Sequence, residues 1–366
     1  MRRETCTPRA DWRGKVEALG FDFHSPGGER YWAEDALYRF SEAGIDRIEA
    51  AGNTLHAMCL EAVAEVVRRG DYEPLGIDAR AAALVERSWR QREPALYGRF
   101  DLAWAGEGEP RLLEYNADTP TSLFEAAVAQ WYWLEDTAAG ADQFNLIHEA
   151  LVARWQEIVP AGSRVHFAGC LESDEDRGTL DYLRESCAQA GLQPVGLDIS
   201  DIGFNGREFV DLSDRPITRM FKLYPWEWML AEPFAAHLEA TACQWIEPTW
   251  KQVLSNKSLL PLLWRMFPGH PNLLAASHDP RDIAGEVVAK PRFGREGEGI
   301  TVHERAPAFA EDGVVYQACA PLYASEHGHA LLGVWVVGDK AVGLGVREDD
   351  DRITRNTSRF VPHCFD

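Results

Sequence analysis

The chain has 366 residues, 46% of them hydrophobic and 13 of them tryptophan, which excludes a small module or a disordered chain because so much apolar surface must be buried. The length predicts roughly two or three domains. The formal net charge of -21 repels phosphate backbones, so the composition favours either simple solubility or attraction of cations, and it excludes nucleic-acid binding without a local basic patch, which the sequence lacks.

The first predicted elements are helical. From Ala33 to about Arg69 apolar residues recur at helical spacing, and the segment ends in basic residues followed by Gly70. The pattern changes at Tyr97, where YGRFDLAW and RLLEYNAD predict two strands around the turn at Gly106–Glu109. The next segment, SLFEAAVAQWYWLED, predicts a return to helix.

Residues 163–199 predict a strand, an amphipathic helix and a second strand, in the order SRVHFAGC, TLDYLRESCAQAGL and QPVGLDIS. This order is typical of a parallel βαβ unit with a right-handed crossover. Helices and turns rich in Trp and Pro follow from Pro225 to Pro271. Beyond them, EVVAKPRFGREGEGITV, GVVYQACAPL and ALLGVWVVGDKAVGLGVRE predict strands joined by glycine-containing turns.

The cysteines and the N-terminal segment indicate a cellular compartment. The 7 cysteines are scattered and form no CxxC pair, which argues against a disulfide framework or a zinc knuckle. The first residues, MRRETCTPRADW, contain no apolar signal-peptide region, and no stretch approaches the length of a membrane span. We therefore expect a cytoplasmic protein without membrane partners.

The strongest chemical signal lies on the predicted hairpin. Because strand side chains alternate, Arg99 and Asp101 share one face of the first strand, while Glu114 and Asn116 share one face of the second. A two-residue turn at Glu107–Gly108 would place Asp101 opposite Glu114. Opposed carboxylates repel unless a cation lies between them, and these oxygen ligands suit Mg²⁺. The hairpin predicts a magnesium site beside an arginine; an ordinary exposed polar face is the alternative.

A second signal is the segment Lys290–Gly299, in which an apolar strand leads to a lysine and then to a loop. Gly294, Gly297 and Gly299 let backbone N–H groups approach a phosphate, and the lysine neutralises its charge. The spacing matches neither a P-loop nor a dinucleotide-binding motif. Taken alone, the segment indicates a phosphate-binding loop only weakly and favours a plain β-hairpin.

Several long segments resemble the synthetase part of glutathionylspermidine synthases, and most closely its short, single-function branch. They are LLEYNADTPTSLFEAAVAQWYWLED, SNKSLLPLLWRMFPGHPNLL, VVAKPRFGREGEGI, VYQACAPL and GVREDDDRITRNTSRFVP. The resemblance spans residues 20–366. It implies an ATP-grasp fold of α+β and α/β character with an adjoining pre-ATP-grasp βαβ domain for substrates. The expected divisions are 1–140 for the N-terminal helices and metal-binding hairpin, 141–245 for the substrate domain, and 246–366 for the lid and nucleotide-binding core.

The resemblance also implies roles for individual residues. Asp101, Glu114 and Asn116 match the magnesium ligands, in agreement with the hairpin argument. Arg99 matches an arginine that stabilises transition-state charge, and Arg347 a late arginine near the phosphates. The positions expected to contact the nucleotide are Lys257, Lys290, Gly294, Arg295, Gly297, Gln317, Ala318, Cys319 and Ala320. Those expected to contact the acid and amine are Thr119, Thr121, Glu175 and Asp176.

The implied reaction is an ATP- and Mg²⁺-dependent ligation of a carboxylate to an amine, with release of ADP through an acyl phosphate. The expected substrates are a small carboxylic acid or peptide and an amine or polyamine. Pro120 in the acid-side segment and Asp176 in place of a second glutamate depart from the family pattern, so the substrates stay open. A phosphotransferase on the same scaffold and a non-catalytic ATP-binding protein are the alternatives.

Overall fold

The computed structural model describes all 366 residues. Its α-helices are α1 (Trp12–Ala18), α2 (Glu42–Arg69), α3 (Ala79–Arg90), α4 (Gln130–Thr137), α5 (Ile147–Ile158), α6 (Asp174–Gln189), α7 (Trp226–Ala231) and α8 (Leu259–Met266), with a π-helix at Glu125–Ala129. Its strands in the first half are β1 (Arg2–Thr5), β2 (Ala36–Phe40), β3 (Tyr97–Ala103), β4 (Arg111–Asn116), β5 (Arg164–Gly169) and β6 (Gln193–Asp198). The remaining strands are β7 (Gly203–Phe204), β8 (Phe209–Val210), β9 (Arg219–Leu223), β10 (Gln244–Ile246), β11 (Ala276–Ser277), β12 (Val287–Pro291), β13 (Thr301–His303), β14 (Val314–Ala318), β15 (Tyr323–Ser325), β16 (Gly328–Val337), β17 (Lys340–Asp349), β18 (Arg359–Val361) and β19 (His363–Phe365).

The largest sheet is antiparallel and runs in the order β18-β17-β16-β3-β4, with β15 paired to β16. Helix α2 covers one face of it, beginning where the Ser41 side chain accepts from the Gly44 amide and ending at Gly70 in the left-handed conformation. The helix approaches the sheet closely at Gly52, where a Cβ atom would lie 2.9 Å from Val334. We call this layer the central sheet.

A second sheet is parallel and has the order β10-β9-β5-β6. Its strands β5 and β6 are joined by α6, so the predicted strand, helix and parallel strand are confirmed. Helix α6 begins five residues earlier than the motif TLDYLRESCAQAGL, because Ser173 caps it by accepting from the Asp176 amide. The acidic residues Asp174, Glu175 and Asp176 consequently form its first turn.

A third sheet, which we call the lid sheet, is antiparallel in the order β11-β14-β12-β13. Strands β12 and β13 form a hairpin around the glycine loop, so the interpretation of that segment as a hairpin is confirmed. The predicted strand-rich C-terminal third is confirmed as well. The chain is thus a mixed α/β protein, and none of its helices is both long and apolar enough to cross a membrane.

Two predictions of local structure are wrong. Residues before Glu42 do not belong to the long helix, because Ala36–Phe40 form strand β2, which pairs with β1 and β19. The connection between β3 and β4 is also longer than a two-residue turn, since β3 ends at Ala103 and β4 begins at Arg111. The register shifts after Asp101, and the Leu112 amide donates to the carbonyl of Asn272 instead of to β3.

Candidate active site

The polar face of the β3–β4 hairpin is assembled as predicted. Asp101 pairs with Glu114 and Arg99 with Asn116 in the register of the two strands. The Arg99 guanidinium binds both carboxylate oxygens of Asp101, at 2.7 and 3.0 Å. The Asn116 amide lies 3.1 Å from an Asp101 oxygen and 3.3 Å from a Glu114 oxygen. The register shift beyond Asp101 leaves this group of four side chains intact.

The electrostatics of the two carboxylates differ. Burial raises the pKa of Asp101 in spite of the Arg99 charge. Burial would also raise the pKa of Glu114, but the ammonium groups of Lys257 and Lys290 outweigh it and lower that pKa to about 2. Glu114 is therefore an anion at neutral pH. Two carboxylates and an amide on one face form an oxygen-rich donor set, which fits a hard divalent cation such as Mg²⁺.

Both predicted lysines reach this hairpin from other parts of the chain. The Lys257 ammonium lies 3.2 Å from a Glu114 oxygen and donates to the Gly294 carbonyl. The Lys290 ammonium donates to the Leu113 carbonyl at 2.8 Å and to the side-chain oxygen of Gln317 at 2.8 Å. Burial, together with the nearby Lys257 charge, lowers the pKa of Lys290 to about 8. Leu113 lies at the register shift of β4, between Leu112 and Glu114. The carbonyl that accepts from Lys290 therefore belongs to the irregular part of the strand.

A cavity of about 180 Å³ lies between the central sheet and the lid sheet. Its walls include most of the residues predicted to bind metal, nucleotide or acid, namely Arg99, Asp101, Glu114, Asn116, Thr119, Thr121, Lys290, Arg295, Gly297, Gln317, Ala318, Cys319, Ala320 and Arg347. Lys257 and Gly294 line a small adjoining pocket that shares Glu114 and Asn116 with it. We call this cavity the cleft. The structure therefore gathers residues that are up to about 250 positions apart in the sequence.

The apolar end of the cleft is lined by Val288, Val302, Leu322 and Leu331. The segment Gln317–Ala320, predicted to be a base-binding hinge, also lines the cleft. The amides of Ala318 and Cys319 already donate to the carbonyls of Ala275 and Glu286, at 2.8 and 3.0 Å. These two amides belong to the lid sheet and are not free to donate to a ligand.

The glycine loop packs against the connection between β17 and β18, residues 350–358, which we call the strap. A Cβ atom at Gly297 would lie 2.6 Å from the Thr354 carbonyl oxygen, and Gly297 has a φ of +75°. Arg352 of the strap binds both carboxylate oxygens of Glu286, the residue before β12, each at 2.8 Å. The loop and the strap together cover the cleft.

Arg347 lines the cleft, but most of its hydrogen bonds are to the strap. Its guanidinium donates to the carbonyls of Ser358, Arg355 and Asn356 at 2.9 to 3.1 Å and to the Ser122 hydroxyl at 2.8 Å. A guanidinium has five N–H donors, so one remains for a ligand. The predicted arginine near the phosphates is thus also the residue that fixes the strap.

Arg295 and Thr121 connect the glycine loop and the hairpin to neighbouring elements. The Arg295 guanidinium donates to the Thr119 hydroxyl at 2.7 Å and to Glu227 of α7 at 2.6 Å. The Thr121 carbonyl accepts from Arg99. Thr119 therefore contacts the glycine loop, and Thr121 contacts the β3–β4 hairpin.

The structure places Glu175 and Asp176 outside the cleft. Glu175 lines a larger cavity of about 830 Å³ between the helical layer around α4–α6 and the N-terminal segment, whereas Asp176 lines neither cavity. Burial, then the charge of Glu125, raises the pKa of Glu175 to about 7. Burial, then the charge of Glu296 in the glycine loop, raises the pKa of Asp176 to about 6. Both carboxyl groups therefore lie close enough to the cleft for its charged residues to change their pKa values.

This larger cavity, which we call the acidic cavity, has a distinctive lining. Its carboxylates are Asp22, Glu125, Asp142, Glu149, Asp174, Glu175, Asp181 and Glu185, whereas Arg177 is the one Lys or Arg residue in its wall. Trp131 and Tyr132, 38% and 46% exposed, also line it, while Trp133 is fully buried. The motif WYWLED thus contributes both to a cavity wall and to the core.

Two buried ion pairs near the hairpin escaped prediction. Lys222 and Asp118 are 0% and 1% exposed, and Asp118 also accepts from the Trp226 amide at 2.9 Å. Glu247 pairs with Lys251, whose ammonium donates to the carbonyls of Tyr97 and Ala117. These pairs fix the ends of β3 and β4. Only the position of Asp118, directly after the motif EYNA, could have drawn attention to it.

Two solved structures show the class of fold to which this chain belongs. A glutathione-synthetase-like effector of Globodera pallida superposes with a TM-score of 0.56 over 99% of this chain and 100% of its own, at 12% identity. A Methylobacillus flagellatus structure described as a γ-glutamylcysteine synthetase superposes with a TM-score of 0.51 over 85% of this chain and 86% of its own, again at 12% identity. The fold is therefore that of glutathione-synthetase-like proteins.

The sequence comparisons then give the family. The family model described as glutathionylspermidine synthase preATP-grasp matches residues 3–366, and the chain belongs to that family. A Haemophilus influenzae protein named as a candidate acid–amine ligase is 40% identical over 392 aligned residues, covering 100% of both chains. Trypanothione synthetase of Crithidia fasciculata is 30% identical over 94% of this chain, which spans 59% of that relative. The resemblance found in the sequence motifs is confirmed.

Proposed function

We propose that this chain is an ATP- and Mg²⁺-dependent ligase that joins a carboxylate to an amine through an acyl phosphate, on an ATP-grasp fold. The observation that carries the proposal is the cleft, where two opposed carboxylates and an amide face two lysines and an arginine beneath a glycine loop. The names of its relatives, which include a candidate acid–amine ligase and a trypanothione synthetase, support the same reaction class.

Asp101, Glu114 and Asn116 would hold the metal ion, which when bound supplies positive charge to the phosphate oxygens. Glu114 is already anionic because of Lys257 and Lys290. Asp101 is bound by Arg99 on both oxygens in this structure. Its bonds to Asp101 and to the Thr121 carbonyl use three of the five N–H donors of Arg99, so two remain to neutralise charge on a transferring phosphate.

The lysines and the arginine provide positioned positive charge in a water-poor cleft. Phosphoryl transfer needs this more than it needs a covalent nucleophile, because negative charge spreads over the transferred oxygens. Lys257 and Lys290 are held in place by the Gly294 carbonyl and by Gln317. Removal of one such group is expected to lower the rate by roughly 10² to 10³.

The substrates would approach the cleft from two sides. The segment Thr119–Thr121 borders the metal-binding hairpin and would receive the acid. The acidic cavity would receive the amine, because its carboxylates attract a cation and Trp131 and Tyr132 offer apolar surface for a methylene chain. On this proposal residues 141–245 form the substrate domain, 1–140 supply the metal-binding hairpin, and 246–366 supply the lid and the rest of the nucleotide site.

The test is release of ADP and phosphate from Mg-ATP by the purified chain. Pooled small carboxylic acids and peptides, including glutathione, are added with and without pooled di- and polyamines, including spermidine. The proposal predicts release that requires both pools and that is lost in Asp101→Ala. Release with one pool would indicate a phosphotransferase, and tight ATP binding without turnover would indicate a binding protein; either result would overturn the proposal.

A further inference from the structure

Glu125 is a buried carboxylate in the wall of the acidic cavity, and the cleft does not use it. It is 4% exposed and belongs to the π-helix that precedes α4. A π-helical turn is rarer than α-helix and recurs at functional sites. A buried carboxylate is costly unless it is hydrogen-bonded or paired with a cation, and this one lines a cavity large enough for a ligand.

A chain of hydrogen bonds connects Glu125 to the cleft. The Tyr31 hydroxyl donates to Glu125 and lies 3.0 Å from the Ser122 hydroxyl. Ser122 in turn accepts from Arg347, which lines the cleft. The guanidinium of Arg347 also lies 5.2 Å from the centre of the Tyr31 ring. The Glu125 side chain is therefore held by hydrogen bonds that lead to a residue of the cleft wall, although Glu125 itself lines the acidic cavity.

Glu175 lines the same acidic cavity as Glu125 and is close enough for their charges to interact. One of its carboxylate oxygens is buried and has no hydrogen-bond partner. The charge of Glu125 helps to raise the pKa of Glu175, after the larger effect of burial. The groups that face the pair from packed elements are Tyr31, Arg99, Arg347, Asp176 and Glu296. Two adjacent carboxylates, one with an unsatisfied oxygen, form a site for a cationic group.

We propose that Glu125 is the general base of the ligation, which accepts the proton that the amine must lose before it attacks; Glu175 is the amine contact that the family resemblance already implies. This inference rests on the proposed function. It assigns to the acidic cavity a chemical role as well as a binding role. Because Tyr31 and Ser122 link Glu125 to Arg347 in the wall of the cleft, the amine nitrogen would meet the acyl phosphate on that side of the cleft.

The substrate ammonium gives one proton to the Glu125 carboxylate, and the freed lone pair forms a bond to the carbonyl carbon of the acyl phosphate. The tetrahedral intermediate then breaks its bond to the phosphate oxygen, and the second nitrogen proton goes to the departing phosphate. Protonated Glu125 returns its proton to water. Burial raises the pKa of Glu125 toward the range in which a carboxylate is an efficient base near neutral pH.

The experiment compares two nucleophiles in the wild type and in Glu125→Gln. The amine pool is protonated near neutral pH and needs a base, whereas hydroxylamine is largely uncharged and traps an acyl phosphate as a hydroxamate without one. Glu135→Gln is the matched control, because Glu135 lies in α4 on the same helical segment, is exposed and lines neither cavity. Tyr31→Phe is the second variant, and thermal melting checks that each variant folds.

We expect Glu125→Gln to lose roughly 10² or more in amine-dependent turnover, to keep hydroxamate formation within about twofold, and to regain rate as pH rises. Tyr31→Phe should shift the acidic limb of the pH profile to higher pH, because the Tyr31 hydrogen bond lowers the pKa of Glu125. Unchanged amine turnover in Glu125→Gln, or equal loss with both nucleophiles, would overturn the assignment. Absence of hydroxamate in the wild type would instead refute the proposed function.

Discussion

Asp101 and Glu114 lie directly opposite each other across β3 and β4, and each carboxylate has its own cation. Arg99 binds both oxygens of Asp101, and Lys257 lies 3.2 Å from Glu114. Opposed carboxylates on a sheet destabilise it unless their charge is compensated. The protein therefore holds two anions together by means of cations from the same strand and from the segment before α8, which is an arrangement suited to a metal–phosphate complex.

Glu114→Gln tests the metal-binding face. The substitution keeps the shape of the side chain but removes one anionic ligand, so we expect ADP release to fall by roughly 10² to 10³ and the Mg²⁺ concentration for half-maximal rate to rise. Glu109→Gln in the turn of the same hairpin is the control, since its carboxylate is exposed and contacts only Arg47, at 3.9 Å. Equal rates and equal Mg²⁺ dependence in the two variants would remove Glu114 from the metal site.

Gly297→Ala tests closure of the glycine loop over the cleft. A Cβ atom at Gly297 would lie 2.6 Å from the Thr354 carbonyl oxygen, which would push the loop and the strap apart. Gly313→Ala is matched to it, because Gly313 has a φ of +72° against +75° but nothing within 4 Å of its Cβ position. Both variants bear the strain of a positive φ. We expect only Gly297→Ala to raise the KM for ATP, by roughly tenfold if about 1.4 kcal/mol of loop closure is lost. A similar KM in both variants would show that the loop need not pack on the strap.

Lys222→Met tests the buried ion pair that anchors Asp118. The substitution leaves an uncompensated buried carboxylate. The free energy of unfolding, measured by urea denaturation, should therefore fall by roughly 3 to 5 kcal/mol. Lys15→Met breaks a pair with Asp136 whose side chains are 46% and 40% exposed, and it should cost less than about 1 kcal/mol. The double variant with Asp118→Asn should recover part of the loss. A Lys222→Met effect as small as that of Lys15→Met would mean that Asp118 is solvated or neutral.

Glu175→Gln tests the linkage between Glu175 and pH. The pKa of Glu175 rises from 4.5 to about 7 on folding, because of burial and then the charge of Glu125. Its proton is therefore bound more tightly in the folded state. Stability associated with that proton is fully present below pH 4.5 and is lost as pH rises to about 7.

The free energy of unfolding of the wild type, measured relative to that of Glu175→Gln, should accordingly decline across this window. Glu172→Gln, an exposed position just before the same helix, should track the wild type. A constant difference between wild type and Glu175→Gln from pH 4.5 to pH 7 would contradict the raised pKa.

The sequence predicted those parts of the site that depend on local periodicity or on long motifs. Strand alternation was enough to place Arg99, Asp101, Glu114 and Asn116 on one face, because side-chain direction in a strand follows residue number. The register shift next to Leu113 was not predictable, since it depends on Asn272 taking the Leu112 amide. The roles of Arg347 in the strap and of Glu125 in the acidic cavity also escaped, because their partners come from distant segments.

The most direct test of the ligase mechanism follows oxygen from the acid. Using whichever acid and amine pools support ADP release, the carboxylate is labelled with oxygen-18 and the inorganic phosphate is analysed by mass spectrometry. An acyl phosphate requires the carboxylate oxygen to leave with phosphate, so we predict one labelled oxygen per phosphate released, in step with amide formed. Phosphate without label, or label retained in a stable phosphorylated product, would contradict ligation through an acyl phosphate.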